Sequence, residues 1–146
     1  MRVSEKPVKH AVAVVIYSRD RKNILIVQRP YDDENLPGVW GLPASSLKIE
    51  ESFEEAVLRT GKEKLGVEFK VVSVVSEGIT ERKNFLLHMK EYEVEIIRGK
   101  PRVPQNIEGV TQYRELKYGT SEELIPAAQK GSLCSRLYLS YKKIQY

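Results

Sequence analysis

The sequence has little of what several common protein classes depend on. A single cysteine, Cys134, among 146 residues rules out an internal disulfide, and the presence of only two histidines argues against a thiolate zinc site. The longest mainly apolar run, residues 11–17, is only as long as a strand, whereas a membrane-spanning helix needs about 20 apolar residues. The polar residues 1–9 have no apolar core of the kind found in signal peptides. These absences predict a cytoplasmic protein without a membrane partner.

A strong charge of one sign is also absent. The 24 Lys and Arg residues against 20 Asp and Glu residues give a net charge of +4, with a pI near 9.1. Acids and bases alternate along most of the chain, whereas nucleic-acid binders usually concentrate positive charge on a stripe or arm. An RNA partner is therefore suggested by the pI alone, and anionic ligands are mildly favoured. With 41% hydrophobic residues, the chain is expected to form one domain over residues 1–146.

The hydrophobic pattern predicts the element order β, β, long loop, α, β, β, β, α, α. Residues 10–17 and 23–28 are aliphatic and β-branched runs separated by a charged turn, which predicts a hairpin, and residues 30–50 are expected to form a long loop. Further strands are expected at residues 67–75, 85–97 and 110–118, and C-terminal helices at 121–129, capped by Ser121, and at 132–144. This order predicts one mixed sheet with helices packed against it.

The first helix has the clearest start signal. Ser52 and Glu55 fit a capping box, and Gly66 is a suitable stop, so a helix is predicted over residues 52–65. At 100° per residue, the predicted apolar side contains Phe53, Val57, Leu58, Gly61 and Leu65. The residues expected to point away from it are Glu55, Arg59 and Lys62. One flank between the two faces contains Ala56, Thr60, Glu63 and Lys64.

Residues 40–67, WGLPASSLKIEESFEEAVLRTGKEKLGV, resemble without a gap the signature loop-helix of the Nudix hydrolase family. The family pattern is G-x5-E-x7-R-E-U-x-E-E-x-G-U, with U aliphatic, usually introduced by a tryptophan and a Leu-Pro. The matching positions are Trp40, Leu42, Pro43, Glu51, Arg59, Glu63, Gly66 and Val67. Segments on both sides of this box also look like Nudix proteins. The resemblance implies a Nudix-type α/β/α sandwich with a mixed β-sheet.

The chain departs from the family pattern at four positions. Ser45 replaces a glycine, Thr60 and Lys64 replace two glutamates, and Gly61 replaces an aliphatic residue. In the family, the box implies several carboxylates on one side of the helix that hold magnesium ions on a diphosphate, because hydrolysis needs neutralised phosphate oxygens and an activated water. Only Glu63 remains on that flank, and the charge of Lys64 disfavours a cation. A weak Mg²⁺ or Mn²⁺ site is therefore expected.

The resemblance implies a role for each matching polar residue. Glu63 is expected to bind the metal, and Glu51 and Arg59 to hold Glu63 in place. Lys64 is expected to contact a phosphate as a point charge or, alternatively, to pair with Glu63 and Glu51 on the helix surface. Glu108, in the Pro-rich loop before the last strand, is expected to supply a second metal ligand or the general base.

Two alternatives stay open beside these roles. Glu77 is a weaker candidate than Glu108 for the additional acid. The i, i+4, i+8 spacing of Glu55, Arg59 and Glu63 also fits a solvated ladder of salt bridges with no part in catalysis.

Two functions of different classes are compatible with these residues. The first is a Nudix-like hydrolase acting on the diphosphate of a nucleoside diphosphate linked to another moiety. The second is a non-catalytic module that binds a nucleotide or another phosphate ligand on the same fold. Loss of two of the three box glutamates favours the binding module. Retention of Glu51, Arg59, Glu63 and Gly66 places the hydrolase slightly ahead, because a pure scaffold would have little reason to keep that geometry.

Overall fold

The computed structural model describes residues 6–105 and 113–146. Over these residues, the strands are β1 (Val8–Val15), β2 (Ile24–Gln28), β3 (Trp40–Gly41), β4 (Ala44–Ser46), β5 (Glu68–Glu81), β6 (Leu86–Arg98) and β7 (Glu115–Gly119). The helices are α1 (Phe53–Thr60), α2 (Ile125–Gln129) and α3 (Leu133–Tyr141). A π-helical turn, Gly61–Leu65, continues α1, and a 3₁₀ turn, Ser121–Leu124, precedes α2. None of these helices is long and apolar enough to cross a membrane.

The strands form two sheets. One is mixed, with the order β4-β1-β6-β5 and a parallel pairing of β1 with β6, and the other is antiparallel, with the order β3-β2-β7. The predicted mixed sheet is confirmed, but the expectation of a single sheet is wrong. The strands β5 and β6 pair with each other antiparallel. The predicted β1–β2 hairpin is reduced to one bridge between Tyr17 and Ile24. Both edges of β1 are taken by β4 and β6, and both edges of β2 by β3 and β7, so the two strands cannot pair along their length.

Two apolar cores cover the two faces of the strands. Ala11, Ala13 and Val15 of β1 pack into a core with buried residues of α2 and α3, whereas Val12 and Val14 pack into a second core with α1. The strand β2 alternates in the same way. Because both faces are buried, these strands are nearly continuous apolar runs. The predicted Nudix-type α/β/α sandwich is confirmed.

The predicted limits of the first helix hold, because α1 and the π-helical turn together cover residues 53–65. Ser52 Oγ accepts a hydrogen bond from Glu55 N at 3.0 Å, and Glu55 Oε1 accepts one from Ser52 N at 2.8 Å. Gly66 ends the helix with a φ of +67°. Val57 is buried and Glu55 exposed, as expected, but Leu58 is 43% exposed and does not join the core.

The C-terminal elements differ in detail from the prediction. Thr120, and not Ser121, precedes the first turn, and Thr120 N donates to Glu123 Oε2 at 2.9 Å. The helix α3 begins after its cap Ser132 and ends at Tyr141, three residues before the predicted end. The strand β7 begins at Glu115, later than the predicted start, and residues 110–112 lie outside the described residues.

One carboxyl group lies inside the sandwich. Glu91 of β6 is completely buried, opposite Ala13 of β1 and Ser76 of β5. Within the described part of the chain, neither carboxyl oxygen has a hydrogen-bond partner. Burial raises the pKa of Glu91 well above its usual value, so the neutral acid is favoured.

Candidate functional site

Arg59 is the centre of an ion-pair cluster between α1 and the loop before it. Its Nε and Nη2 atoms lie 2.8 and 2.9 Å from the two carboxylate oxygens of Glu51. Nη1 lies 3.1 Å from Glu63 Oε1, and Nη2 donates to Ser46 O at 2.8 Å. The hydrogen bond from Arg59 lowers the pKa of Glu51, so this carboxylate is ionised at neutral pH. The cluster therefore ties residues 46 and 51 of the loop to the helix.

This cluster decides between the two interpretations of the helix surface. Arg59 contacts Glu63, since residues four apart are neighbours on a helix, and its long guanidinium side chain reaches back toward the loop. Glu55 is not a rung of a salt-bridge ladder, because its carboxylate closes the capping box with Ser52. Glu51, Arg59 and Glu63 are brought together as the sequence predicted.

On the neighbouring flank, two residues that depart from the family pattern contact each other. Thr60 is fully buried and Ser45 is 8% exposed. Thr60 Oγ1 lies 2.8 Å from Ser45 Oγ and 2.7 Å from Ala56 O. The pair occupies the place where the family pattern has a glutamate on the helix and a glycine in the loop. A longer side chain at position 60 would displace the Ser45 hydroxyl.

The third departure, Lys64, is mostly buried beneath the same loop. Its Nζ atom donates to Ala44 O and lies 5.4 Å from the ring centre of Tyr113. Burial, followed by the charges of Arg29 and Arg59, lowers the pKa of Lys64 to about 8. No ion pair of Lys64 is found among residues 6–105 and 113–146, so the alternative of a surface pair with Glu63 and Glu51 does not hold there.

The fourth departure, Gly61, is explained by close packing. A Cβ atom at this position would lie 2.8 Å from two ring atoms of Phe69 and 3.0 Å from Val67 O. Phe69 of β5 therefore fills the space that the aliphatic side chain of the family pattern would need. This departure concerns the core and has no direct part in ligand binding.

A cavity of about 240 Å³ opens beside Lys64. Its polar lining residues are Arg29, Ser45, Ser46, Lys64 and Tyr113. Two of these residues are cations, and no acid is found among the described residues that line the cavity. The pKa of Tyr113 is raised to about 12 by burial, so its hydroxyl is neutral. The arrangement is suited to an anion and unsuited to a metal cation.

The described residues do not fit the metal cluster that the family implies. No group of three or more His, Cys, Asp or Glu side chains among them is arranged to hold a metal ion. Glu63 is the only carboxylate on the flank, and it is paired with Arg59. Glu77 lies on β5 with its Oε2 atom 2.6 Å from His88 Nε2. Glu108, the expected second ligand, lies outside the described residues.

Sequence reasoning did not assign a role to Arg29, Ser45 or Tyr113, which the fold brings to the cavity from three distant segments. The only signal for Ser45 was its departure from the family pattern, and that departure did not show which residue Ser45 contacts. Neither Arg29 nor Tyr113 belongs to the box, so their place beside Lys64 depends on tertiary structure.

Comparisons with known proteins agree with the fold. The NUDIX domain family model matches residues 7–124. The structure of the E. coli ORF135 protein is similar, with a TM-score of 0.70 and 19% identity over 97% of this chain and 96% of that one. A MutT NUDIX hydrolase from Burkholderia pseudomallei has a TM-score of 0.71 and 18% identity, over 96% of this chain and 100% of that one.

A third similar structure is an ADP-ribose pyrophosphatase from Streptococcus suis. Its TM-score is 0.64 and its identity 19%, over 92% of this chain and 90% of that one. Identities this low show the fold alone. No curated protein matches the sequence.

Proposed function

The chain belongs to the NUDIX domain family, and from this premise we propose that it binds the diphosphate of a nucleotide derivative through its own cations. In this proposal Lys64 and Arg29 take the place of a magnesium cluster, and binding without magnesium-dependent hydrolysis is the activity. The observation that carries the proposal is the mostly buried Lys64 ammonium, which faces a cavity lined by a second cation and, within residues 6–105 and 113–146, by no acid.

Electrostatics supports an anionic ligand at this place. The charges of Arg29 and Arg59 both lower the pKa of Lys64, which means that the three cations repel one another. A phosphate group between Lys64 and Arg29 would convert this repulsion into attraction and would restore the pKa of Lys64. With a pKa of about 8, the lysine is already mainly an ammonium at pH 7 in the absence of ligand.

The ligand class is supported by the family and by a relative. One protein of similar fold is an ADP-ribose pyrophosphatase, and ADP-ribose is a nucleoside diphosphate linked to a further group. We therefore take ADP-ribose as the first ligand to test.

A second candidate is the hydrolase expected from the sequence. The observation in its favour is that the Glu63 side chain remains 27% exposed beside the cavity loop, within an intact Glu51–Arg59–Glu63 cluster. This candidate requires additional acids, with Glu108 first among them, to hold Mg²⁺ or Mn²⁺ on the substrate. Its distinguishing property is hydrolysis of the diphosphate bond, to two phosphate monoesters, that depends on the metal.

The experiment is a titration of ADP-ribose by calorimetry in the presence of EDTA, with hydrolysis of ADP-ribose to AMP and ribose 5-phosphate measured separately in Mg²⁺ and Mn²⁺. We expect binding in EDTA, and we expect Lys64→Ala to weaken it by about 10- to 150-fold, the equivalent of about 1.5–3 kcal/mol for a hydrogen bond to a charged group. Lys62→Ala, an exposed lysine of the same helical segment, should bind as the wild type does. Binding should also weaken as the pH rises above about 8, because Lys64 loses its proton.

Two results would overturn the proposal. If ADP-ribose binds only with magnesium and Lys64→Ala binds equally well, the ammonium is not the phosphate ligand. If the wild type rapidly hydrolyses ADP-ribose to AMP and ribose 5-phosphate with Mg²⁺ or Mn²⁺, the hydrolase is the correct function.

A further inference from the structure

A second basic cavity adjoins the one that holds Lys64. It has a volume of about 360 Å³ and is lined by Arg29, Asn35, Leu36, Arg82, Lys130 and Gly131. These residues come from the loop after β2, the β5–β6 turn and the turn between α2 and α3. Three of the six are cations and none is an acid. Arg29 lines both cavities and therefore connects them.

The guanidinium of Arg82 is fixed at this cavity. Its Nη2 atom donates to Gly131 O at 3.0 Å, which joins the β5–β6 turn to the α2–α3 turn. Arg82 O in turn accepts a hydrogen bond from Lys6 Nζ at 3.0 Å. A guanidinium has five N–H donors in a planar fork, and this contact uses one of them. An anchored fork is well suited to bind a tetrahedral oxyanion.

The charge of Arg29 is only partly balanced by its neighbour Asp33. Arg29 Nη1 lies 3.4 Å from both carboxylate oxygens of Asp33, a long contact for an ion pair. Asp33 Oδ2 accepts shorter hydrogen bonds from Leu36 N at 2.8 Å and Asn35 N at 3.2 Å, and these fix the loop. Positive charge therefore remains available on the cavity side of Arg29.

We propose that this second cavity binds a phosphate monoester carried by the same ligand whose diphosphate lies at Lys64. A phosphate monoester has a charge close to −2 at neutral pH and three oxygens, which matches two guanidinium groups and one ammonium better than a singly charged carboxylate does. The inference rests on the proposed function, because Arg29 is shared by the two cavities. It adds a preference for nucleotide derivatives that carry a phosphate beyond the diphosphate.

The test uses two ligands that differ by one phosphate, ADP-ribose and ADP-ribose 2′-phosphate, titrated by calorimetry in EDTA. We expect the wild type to bind the phosphorylated ligand at least about ten-fold more tightly, as for one charge-assisted contact. Arg82→Gln and Lys130→Gln should each remove most of this preference while the affinity for ADP-ribose stays unchanged. Lys83→Gln removes an exposed charge next to Arg82, outside the cavity lining, and should keep the preference.

The outcomes separate this inference from the proposed function. Equal affinities of the wild type for the two ligands overturn the second site and leave the first intact. Failure of both ligands to bind overturns both. Because Arg82 also joins two turns, a loss of folding in Arg82→Gln leaves the decision to Lys130→Gln, whose side chain lines the cavity without that contact. An unchanged preference in Lys130→Gln and in any folded Arg82→Gln protein also contradicts the proposal.

Discussion

The retained and the changed residues around one helix show how differently parts of a motif can change. On the retained side of the motif, Glu51, Arg59 and Glu63 match the family pattern, and one guanidinium bridges the two carboxylates at distances of 2.8–3.1 Å. On the changed side, Thr60 and Lys64 depart from the pattern, and a cation faces a cavity whose described lining residues include no acid. The first group anchors the loop, and the second lines the space where a ligand would lie.

The structure gives Glu51, Arg59 and Glu63 a role that does not depend on catalysis. Sequence reasoning took the survival of Glu51, Arg59 and Glu63 as an argument for catalysis, because a scaffold would have no need of them. The structure shows a reason to keep them other than catalysis, because Arg59 joins Glu51 and Ser46 O of the loop to the helix. A matching motif residue can therefore be retained for the loop that it holds.

The largest effect is expected from converting the changed side back to the family pattern. The variant Ser45→Gly, Thr60→Glu, Lys64→Glu makes room beside position 60 and changes the local charge by three units. At an effective dielectric constant near 20, one unit charge at 4 Å contributes about 4 kcal/mol, so we expect magnesium to bind more than about a hundred-fold more tightly than to the weakly binding wild type. Calorimetry with Mg²⁺ measures this.

The control for that variant is Lys62→Glu, which changes the charge on the exposed part of the same segment and should bind magnesium weakly. Tight binding of magnesium to the wild type without ligand would contradict the comparison, because it would mean that other acids complete a metal site.

The next largest effect is expected on the retained side. Arg59→Ala removes the partner of two largely buried carboxylates, and we expect it to lower the free energy of unfolding by about 2–3 kcal/mol, less than for a fully buried pair. Denaturant unfolding at pH 7 measures the change. Arg98→Ala, which removes a highly exposed arginine paired with Glu68, should unfold as the wild type does.

Unfolding at low pH provides a second test of the Glu51–Arg59–Glu63 cluster. The pKa of Glu51 is lower in the folded than in the unfolded chain, so its stabilising effect is present above the unfolded pKa of about 4 and is lost as the pH falls through the lower folded value. The difference between Arg59→Ala and the wild type should shrink in acid. A difference independent of pH would show that lost packing, and not the ion pair, is responsible.

A smaller effect of opposite sign is expected at Lys64. Lys64→Met keeps the length of the side chain and removes a buried charge, and we expect it to raise the free energy of unfolding at pH 7 by about 1–2 kcal/mol after loss of the hydrogen bond to Ala44 O. Since the folded pKa of about 8 lies below the unfolded value, the wild type should gain stability between pH 8 and 10 and approach the variant.

Thermal and denaturant unfolding of both proteins from pH 7 to pH 10 would measure this convergence. Tyr17, whose pKa is raised, is present in both proteins and its contribution cancels in the difference. Lys62→Met should be neutral throughout. A destabilised Lys64→Met protein would mean that the lysine is there for stability, and the contrast between the two sides would then disappear.

The smallest effect concerns the hydroxyl pair. Ser45→Ala and Thr60→Val each remove one partner of a buried hydrogen bond, and each should cost about 1 kcal/mol of unfolding free energy. The double variant should cost less than the sum, because the first change already breaks the shared contact. Additive effects in this cycle would show that the contact between the two hydroxyl groups contributes no coupling energy.

Local signals predicted the elements better than their arrangement. The Ser52–Glu55 capping box and the stop at Gly66 follow from adjacent residues, and both are present. The division into two sheets depends on which strand takes each edge of β1 and β2, and that choice involves residues far apart in the chain. The exposure of Leu58 could not be predicted from the helical pattern either, because the exposure of a helical residue depends on what packs against it.

In the candidate site, too, contacts between nearby residues were easier to predict than contacts between distant segments. The contacts of Arg59 with Glu51 and Glu63 lie within one loop and helix, and the resemblance of this segment to the family pattern implied them. Arg82 and Lys130 reach their cavity from separate turns, with no shared local pattern. The burial of Lys64 depends on Ala44 and Tyr113, and a helical wheel cannot show how a loop covers it.

Folding of the chain is coupled to proton uptake by Glu91, and calorimetry can measure this coupling. Its carboxyl group is buried without a hydrogen-bond partner in the described structure, and its pKa is raised. At any pH between the unfolded and folded pKa values, the chain takes up a proton from the buffer as it folds and returns it on unfolding. The calorimetric enthalpy of unfolding will therefore vary with the ionisation enthalpy of the buffer, and Glu91→Gln will lose that part of the variation.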